Sequence, residues 1–147
     1  MKIHIYNQQK AISISKNSVR GLMRAILEYL HISCEELSIY FVTEKKISEL
    51  HERFFQDPAP TDCISFPIDN QHLGEIFVCP AAAIAYTGKR KLDPYEELTL
   101  YVVHGLLHLL GFDDLEEKAR RIMRKKEKSC MRHLNKLGIA ITSIQPK

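Results

Sequence analysis

Apolar residues recur along this chain at two spacings, one typical of β-strands and the other of amphipathic helices. Runs rich in β-branched and aromatic residues predict strands at residues 3–6, 11–14, 37–42, 63–68 and 73–78. We expect the first two strands, which flank four polar residues, to form a hairpin. Residues 57–60 predict a loop because they contain two prolines, and residues 69–72 predict a turn between strands.

Five other segments show helical signals. Capping residues and apolar spacing predict helices at about 19–30 with Asn17 or Ser18 as N-cap, about 44–55 with Thr43 as N-cap, 80–88, from Pro94 with Asp93 as N-cap, and about 115–137. The apolar face of the last helix contains Ala119, Met123, Cys130, Leu134 and Leu137. The pattern therefore predicts an α+β fold, a single domain of residues 1–147 with a four- to five-stranded mixed β-sheet and about five flanking helices.

Composition is typical of one globular domain. The chain has 147 residues, of which 45% are hydrophobic and 27% charged. Its N-terminal residues are too few and too polar for a signal peptide, and the longest apolar run, 98–112, is shorter than the roughly 20 residues that span a bilayer. Four cysteines without a C-x-x-C pair are expected to be reduced packing residues. We expect a cytoplasmic protein with no membrane partner.

The net charge of +3 is unevenly distributed. Between Lys118 and Lys136 there are nine lysines or arginines and one acid, Glu127, a balance of +8 that leaves −5 for the other residues. Such a basic segment is suited to an RNA or ribosome surface. A solvated helix face is the commoner explanation of a charge run taken alone.

Residues 104–114 contain two histidines in an apolar segment, then a glycine and two acids. His104 and His108 lie four residues apart, so both imidazoles face the same side of a helix, about 6 Å apart along its axis. Gly111 can adopt the left-handed conformation that ends a helix, which lets the chain turn back and bring Asp114 to the same point. Two imidazoles and one carboxylate leave a coordination position open, as in a catalytic metal site.

Other interpretations of this segment stay open. Histidines in an apolar helix are often core residues bonded to backbone carbonyls. Asp113 is an alternative to Asp114 as third ligand, although we expect it to orient an imidazole or the turn. The spacing also occurs in metzincin peptidases, but those enzymes need a glutamate directly after the first histidine, and Gly105 stands there.

Three segments together match the motifs of one known family. They are residues 60–67 (PTDCISFP), 73–76 (LGEI) and 104–113 (HGLLHLLGFD). They resemble P-T-D-V-L-S-F-P, L-G-D-I and H-G-x-L-H-x-x-G-Y-D-H of the YbeY proteins, in the family's order and spacing. The resemblance implies a metal-dependent endoribonuclease of ribosomal RNA maturation.

The chain departs from that family's pattern at two positions. Asp114 stands where the family has its third metal-binding histidine, and a carboxylate can replace an imidazole on zinc at about the same bond length. Phe55 stands where the family has an arginine, and the nearest arginine is Arg53. The second departure brings catalytic efficiency into question, but not metal binding.

The favoured hypothesis is a single-strand-specific endoribonuclease of small-subunit ribosomal RNA maturation and ribosome quality control, with one Zn²⁺ on His104, His108 and Asp114. Asp62 and Ser65 are candidates to support the cleft, and Phe54, Phe55 or Phe66 to stack on bases, although core or turn roles are at least as common for such residues. Expected partners are ribosomal RNA, the small ribosomal subunit and its assembly factors. Candidate RNA-binding residues are Arg53, Arg120, Arg121, Arg124 and Lys125.

The alternative is a non-catalytic or weakly catalytic ribosome-assembly factor. Such a protein would bind RNA through its basic C-terminal helix and keep the metal for structure only. Nuclease activity separates the two hypotheses.

Overall fold

The computed structural model describes residues 1–57, 61–69 and 71–144. The predicted loop at 57–60 and the predicted turn at 69–72 therefore lie partly outside the described residues. The elements in chain order are β1 Lys2–Asn7, α1 Lys16–Tyr29, β2 Glu36–Phe41, α2 Glu44–Phe55, β3 Cys63–Pro67, β4 His72–Val78, α3 Pro80–Gly88, α4 Pro94–Leu109 and α5 Glu117–Leu137.

The four strands form one mixed sheet in the order β1-β2-β4-β3. The β1–β2 and β2–β4 pairs are parallel, whereas β3 runs antiparallel along β4. Ile5, Ile39 and Ile76 lie in register across the first three strands and are all buried. Because side chains alternate between the faces of a strand, these residues place one sheet face in the core. The predicted α+β fold, with four strands and five helices in the described part of the chain, is confirmed.

The predicted hairpin of residues 3–6 with 11–14 is wrong. β1 pairs in parallel with β2, and residues 11–14 form no strand. The side chain of Gln9 stabilises this connection instead, since its Nε2 donates to Asn7 Oδ1 at 2.7 Å and to the Ile12 carbonyl at 2.9 Å. The Ile12 N–H in turn donates to Gln9 Oε1 at 3.1 Å. The Gln9 side chain thus bonds the N–H and the carbonyl of Ile12, the backbone groups that a partner strand would bond in a hairpin.

Most helix limits follow the capping signals. The side chains of Thr43 and Asp93 accept backbone N–H bonds at the starts of α2 and α4, as predicted. The prediction of Asn17 or Ser18 as the cap of α1 is wrong, because Ser15 is the residue in extended conformation whose hydroxyl accepts from the Ser18 N–H at 3.2 Å. The apolar face of α5 is shorter than predicted, since Leu137 is 52% exposed at the helix end.

Helix α4 is the central helix of the core. Nine of its 16 residues are buried, and it contacts β3, β4, α3 and α5. The cysteines are unpaired, two of them buried and two partly buried, in keeping with packing roles. The described helices include none that is both long and apolar enough to cross a membrane. The position of α4 decides where the histidines of the 104–114 segment lie.

Candidate metal centre

The end of α4 turns the chain back as the sequence predicts. Gly111 has a φ of +98°, which favours glycine, and its N–H donates to the His108 carbonyl at 3.1 Å. The next residue, Phe112, donates its N–H to the Leu107 carbonyl at 3.0 Å. This pair of bonds is a Schellman motif, which satisfies the last carbonyls of the helix. Asp114 follows this turn and therefore lies beside the helix end.

Three potential ligand atoms meet beside this turn. His104 Nε2 lies 2.9 Å from His108 Nε2, and Asp114 Oδ2 lies 3.7 Å from the first nitrogen and 3.8 Å from the second. Ligand atoms of a tetrahedral zinc ion, with bonds of about 2.0–2.1 Å, lie about 3.3 Å apart. Among the described residues, these three form the one group of His, Cys, Asp or Glu close enough to hold a metal ion. We call them the metal cluster.

Sequence reasoning missed Glu127, which belongs to the site. Its Oε1 accepts a short hydrogen bond from His104 Nδ1 across the α4–α5 interface. This bond assigns the Nδ1 proton and leaves the Nε2 lone pair of His104 directed at the metal cluster. A signal was present in the sequence, because Glu127 shares the apolar face of α5 with Met123 and Cys130 at helical spacing. A lone carboxylate on a buried stripe generally has a partner.

Burial and the surrounding carboxylates shift the pKa of His104 in opposite directions. Burial, the largest single influence, lowers the pKa of His104, but the hydrogen bond and charge of Glu127, with the charges of Asp62 and Asp114, more than offset it. The net effect raises the pKa of this imidazole above its ordinary value. The same carboxylates that attract a proton would also attract a metal cation, so a proton and a metal ion would compete for His104.

Close packing of α4 on the sheet holds the cluster in place. A Cβ atom on Gly105 would lie 2.6 Å from Ile76 Cγ2 and 2.7 Å from Cys63 Sγ, so no larger residue fits without rearrangement. Ser65 Oγ also donates to the Gly105 carbonyl at 2.7 Å and ties β3 to the helix. The glutamate that a metzincin peptidase requires at position 105 would collide with the sheet, which removes the peptidase interpretation.

Two clefts adjoin the metal cluster. The first, of about 260 Å³, contains two arginines and four carboxylates. It is lined by His104 and Tyr101 together with Arg120, Arg124, Asp62, Glu97, Asp114 and Glu127, and we call it the arginine cleft. The second, of about 390 Å³, is lined by His108 and Asp114 together with His51, Phe55, Ser65 and Leu115, and we call it the aromatic cleft. Asp114 borders both, so the metal cluster lies where the two clefts meet.

The candidate RNA-binding residues separate into two groups. Arg120 and Arg124 line the arginine cleft, whereas Arg121 and Lys125 are exposed on α5 and line neither cleft within the described chain. Arg53 lies over the ring of Phe54, with its guanidinium carbon 5.5 Å from the ring centroid. The arrangement therefore brings two of the five cations to the metal cluster.

Asp113 does not join the metal cluster. Its Oδ1 accepts the Leu115 N–H at 3.3 Å, a bond that shapes the turn after α4. Asp113 lines the aromatic cleft without belonging to the group of converging ligand atoms.

Comparisons with known proteins agree on one family. The profile of a family described as endoribonuclease YbeY matches residues 4–135. An endoribonuclease YbeY of Protochlamydia amoebophila is 46% identical, covering 95% of this chain and 97% of that protein. A second, from Chlamydia pneumoniae, is 39% identical and covers 97% of both. The solution structure of TM1509 from Thermotoga maritima has a TM-score of 0.65 and 26% identity, covering 90% of this chain and 89% of that one.

Proposed function

Since this chain belongs to the YbeY endoribonuclease family, we propose that it hydrolyses phosphodiester bonds of single-stranded RNA in small-subunit ribosomal RNA maturation and ribosome quality control. The observation that supports this most is the convergence of three potential ligand atoms at the junction of two clefts, one of which contains two arginines. A metal site open to solvent on two sides suits a catalytic role better than a structural one.

His104, His108 and Asp114 are the proposed ligands of one zinc ion per chain. The bound ion would supply Lewis acidity and positive charge for phosphodiester hydrolysis. Glu127 acts on the protein side, because it accepts the Nδ1 proton of His104 and so presents the Nε2 lone pair. The Schellman turn at Gly111 holds the carboxylate of Asp114 against both imidazoles.

Arg120 and Arg124 are the proposed phosphate-binding residues. Across the described residues, neither guanidinium lies within 4.0 Å of a carboxylate oxygen, although the arginine cleft also contains Asp62, Glu97, Asp114 and Glu127. A guanidinium that pairs with no carboxylate can bind phosphate through two parallel hydrogen bonds. These residues would place the scissile phosphate beside the metal cluster, and the exposed Arg121 and Lys125 would add sequence-independent attraction along α5.

The positive charges of α5 are the basis for the proposed partners. The basic side of α5 suits ribosomal RNA on the small ribosomal subunit, where assembly factors would be neighbours. Such a role belongs in the cytoplasm. Arg53, which lies over Phe54, would contact RNA only outside the two clefts.

The decisive experiment measures cleavage of a single-stranded ribosomal RNA fragment by the metal-loaded protein, with and without a chelator. We expect cleavage that the chelator abolishes and that zinc restores, and about one metal ion per chain by elemental analysis. His108→Ala should lose both the metal and the activity, because two remaining ligands bind far more weakly.

The controls separate the endoribonuclease from an assembly factor. Lys16→Gln, a charge change at the exposed start of α1 and outside the basic segment, should leave cleavage intact. Full metal content in His108→Ala would refute the ligand assignment. Tight RNA binding without cleavage by the metal-loaded parent would refute the nuclease and support a non-catalytic assembly factor.

A further inference from the structure

The two clefts differ in the chemistry that they offer to an RNA strand. Arg120 and Arg124, the proposed phosphate-binding residues, line one cleft together with four carboxylates, whereas no lysine or arginine lines the described aromatic cleft. A strand whose phosphate lies at the metal cluster must continue past it in both directions. The aromatic cleft therefore meets the neighbouring nucleotide without cations for its phosphate, and its aromatic lining suits a base.

We propose that the aromatic cleft is a subsite for one unpaired nucleobase, which stacks on Phe55 next to the scissile phosphate. The inference rests on the proposed nuclease function and adds to it the residue that selects single strands. A base held in a duplex cannot enter a cleft in the protein without leaving its stack. The cleft of about 390 Å³ falls within the roughly 300–1,000 Å³ typical of ligand pockets.

The two exposed phenylalanines of α2 identify Phe55 as the stacking residue. Phe54 and Phe55 are 54% and 55% exposed, yet only Phe55 lines the aromatic cleft. The ring of Phe54 packs edge-on against Phe66 at 4.9 Å and lies under the guanidinium of Arg53. Phe54 thus contributes to the packing of α2, whereas Phe55 presents a large apolar surface to solvent beside the metal cluster.

His51 holds the Phe55 ring at the cleft. The two rings lie one helical turn apart on α2, with centroids 5.4 Å apart and a tilt of 44°. His51 Nδ1 lies 3.9 Å from Oδ2 of Asp57, which follows the end of the helix. A ring that is already positioned loses little freedom when a base stacks on it, which favours binding.

The test uses short single-stranded oligonucleotides that contain 2-aminopurine, whose fluorescence falls on stacking. A phosphorodithioate backbone keeps the negative charge and resists hydrolysis, so binding to the metal-loaded protein is measured without cleavage. Phe55→Ala should abolish the fluorescence decrease and raise the Kd roughly 5- to 150-fold, the range for loss of one base–aromatic stack. Phe55→Trp should retain both, and Phe54→Ala, the matched control, should bind like the parent.

An abasic nucleotide distinguishes stacking from a general loss of affinity. Moved along the oligonucleotide, it should weaken binding to the parent at one position and have no further effect there on Phe55→Ala. Equal losses in Phe54→Ala and Phe55→Ala, or parent binding that is insensitive to the abasic site at every position, would overturn the subsite. The nuclease proposal is tested separately with cleavable RNA: cleavage without an abasic effect refutes only the subsite, whereas stacking without cleavage refutes only the nuclease.

Discussion

Replacing Gly105 by alanine tests whether the close contact of α4 with the sheet fixes the site. The added Cβ would lie 2.6 Å from Ile76 Cγ2, 2.7 Å from Cys63 Sγ and 3.3 Å from Ser65 Oγ, so two contacts are shorter than atoms tolerate. Overpacking of this kind costs about 1–3 kcal/mol, while alanine gains about 0.5–1 kcal/mol over glycine inside a helix. The difference between these two effects is a fall of about 0–2.5 kcal/mol in the free energy of unfolding.

The matched control for this substitution is Gly21→Ala in α1. No atom lies within 4 Å of a Cβ at Gly21, so this variant should gain the helical preference alone, about 0.5–1 kcal/mol. Urea unfolding of the parent and both variants measures the difference through the midpoint at constant m-value. If Gly105→Ala proves as stable as Gly21→Ala, α4 does not pack against the sheet as closely as described. The argument that a peptidase glutamate at position 105 would collide with the sheet then fails as well.

A double-mutant cycle with Cys63 tests which contact causes the loss of unfolding free energy in Gly105→Ala. Cys63→Ala removes the Sγ atom that would meet the new methyl group, so this change should cost less in the Gly105→Ala background than in the parent. Contacting residues show interaction energies of about 0.5–3 kcal/mol in such cycles. Strict additivity would place the strain elsewhere in the interface.

Three further predictions concern the site. Glu127→Gln should lower metal affinity about 10–100-fold, because an amide orients the imidazole of His104 poorly. Competition with a chelating dye measures this affinity, and Glu117→Gln at the exposed start of α5 is the control. Equal affinities in the two variants would show that Glu127 does not support the metal site. Asp114→Ala should lose metal affinity by a similar factor or more, whereas Asp114→His should keep the metal and cleave faster at neutral pH, since a neutral ligand leaves more positive charge on the ion. Unchanged affinity in Asp114→Ala would transfer the ligand role to another residue. The double variant Arg120→Gln/Arg124→Gln should cleave RNA more slowly than Arg121→Gln/Lys125→Gln, while both should show a flatter salt dependence of RNA binding. Identical cleavage by the two double variants would contradict phosphate binding in the arginine cleft.

Local interactions explain which features could be predicted from the sequence. The caps at Thr43 and Asp93 and the turn at Gly111 depend on atoms a few residues away, and all three are found where the pattern placed them. The convergence of the metal cluster follows from one helix and one turn, so the spacing of two histidines and an acid was sufficient.

Features that depend on contacts between residues far apart in sequence could not be predicted from the sequence pattern. The first strand resembles half of a hairpin, but its partner, β2, lies about thirty residues further along the chain. Glu127 reaches His104 only after α5 docks on α4, 23 positions away in sequence. Phe54 and Phe55 are equally hydrophobic, so the sequence does not distinguish their roles. In the structure, Phe54 contacts Phe66, whereas Phe55 contacts His51. Periodicity predicts elements, whereas the pairing of elements requires the packed structure.

The metal cluster takes its three potential ligands from eleven consecutive residues, 104–114. A segment this short closes on itself at little cost in chain entropy, so the unfolded polypeptide keeps some capacity to chelate an ion. An ion that binds both states stabilises the native state by less than its native affinity alone implies. Because only the folded chain brings Glu127 to His104, this carboxylate would raise the metal affinity of the native state above that of the unfolded chain and would thereby link metal binding to thermal stability.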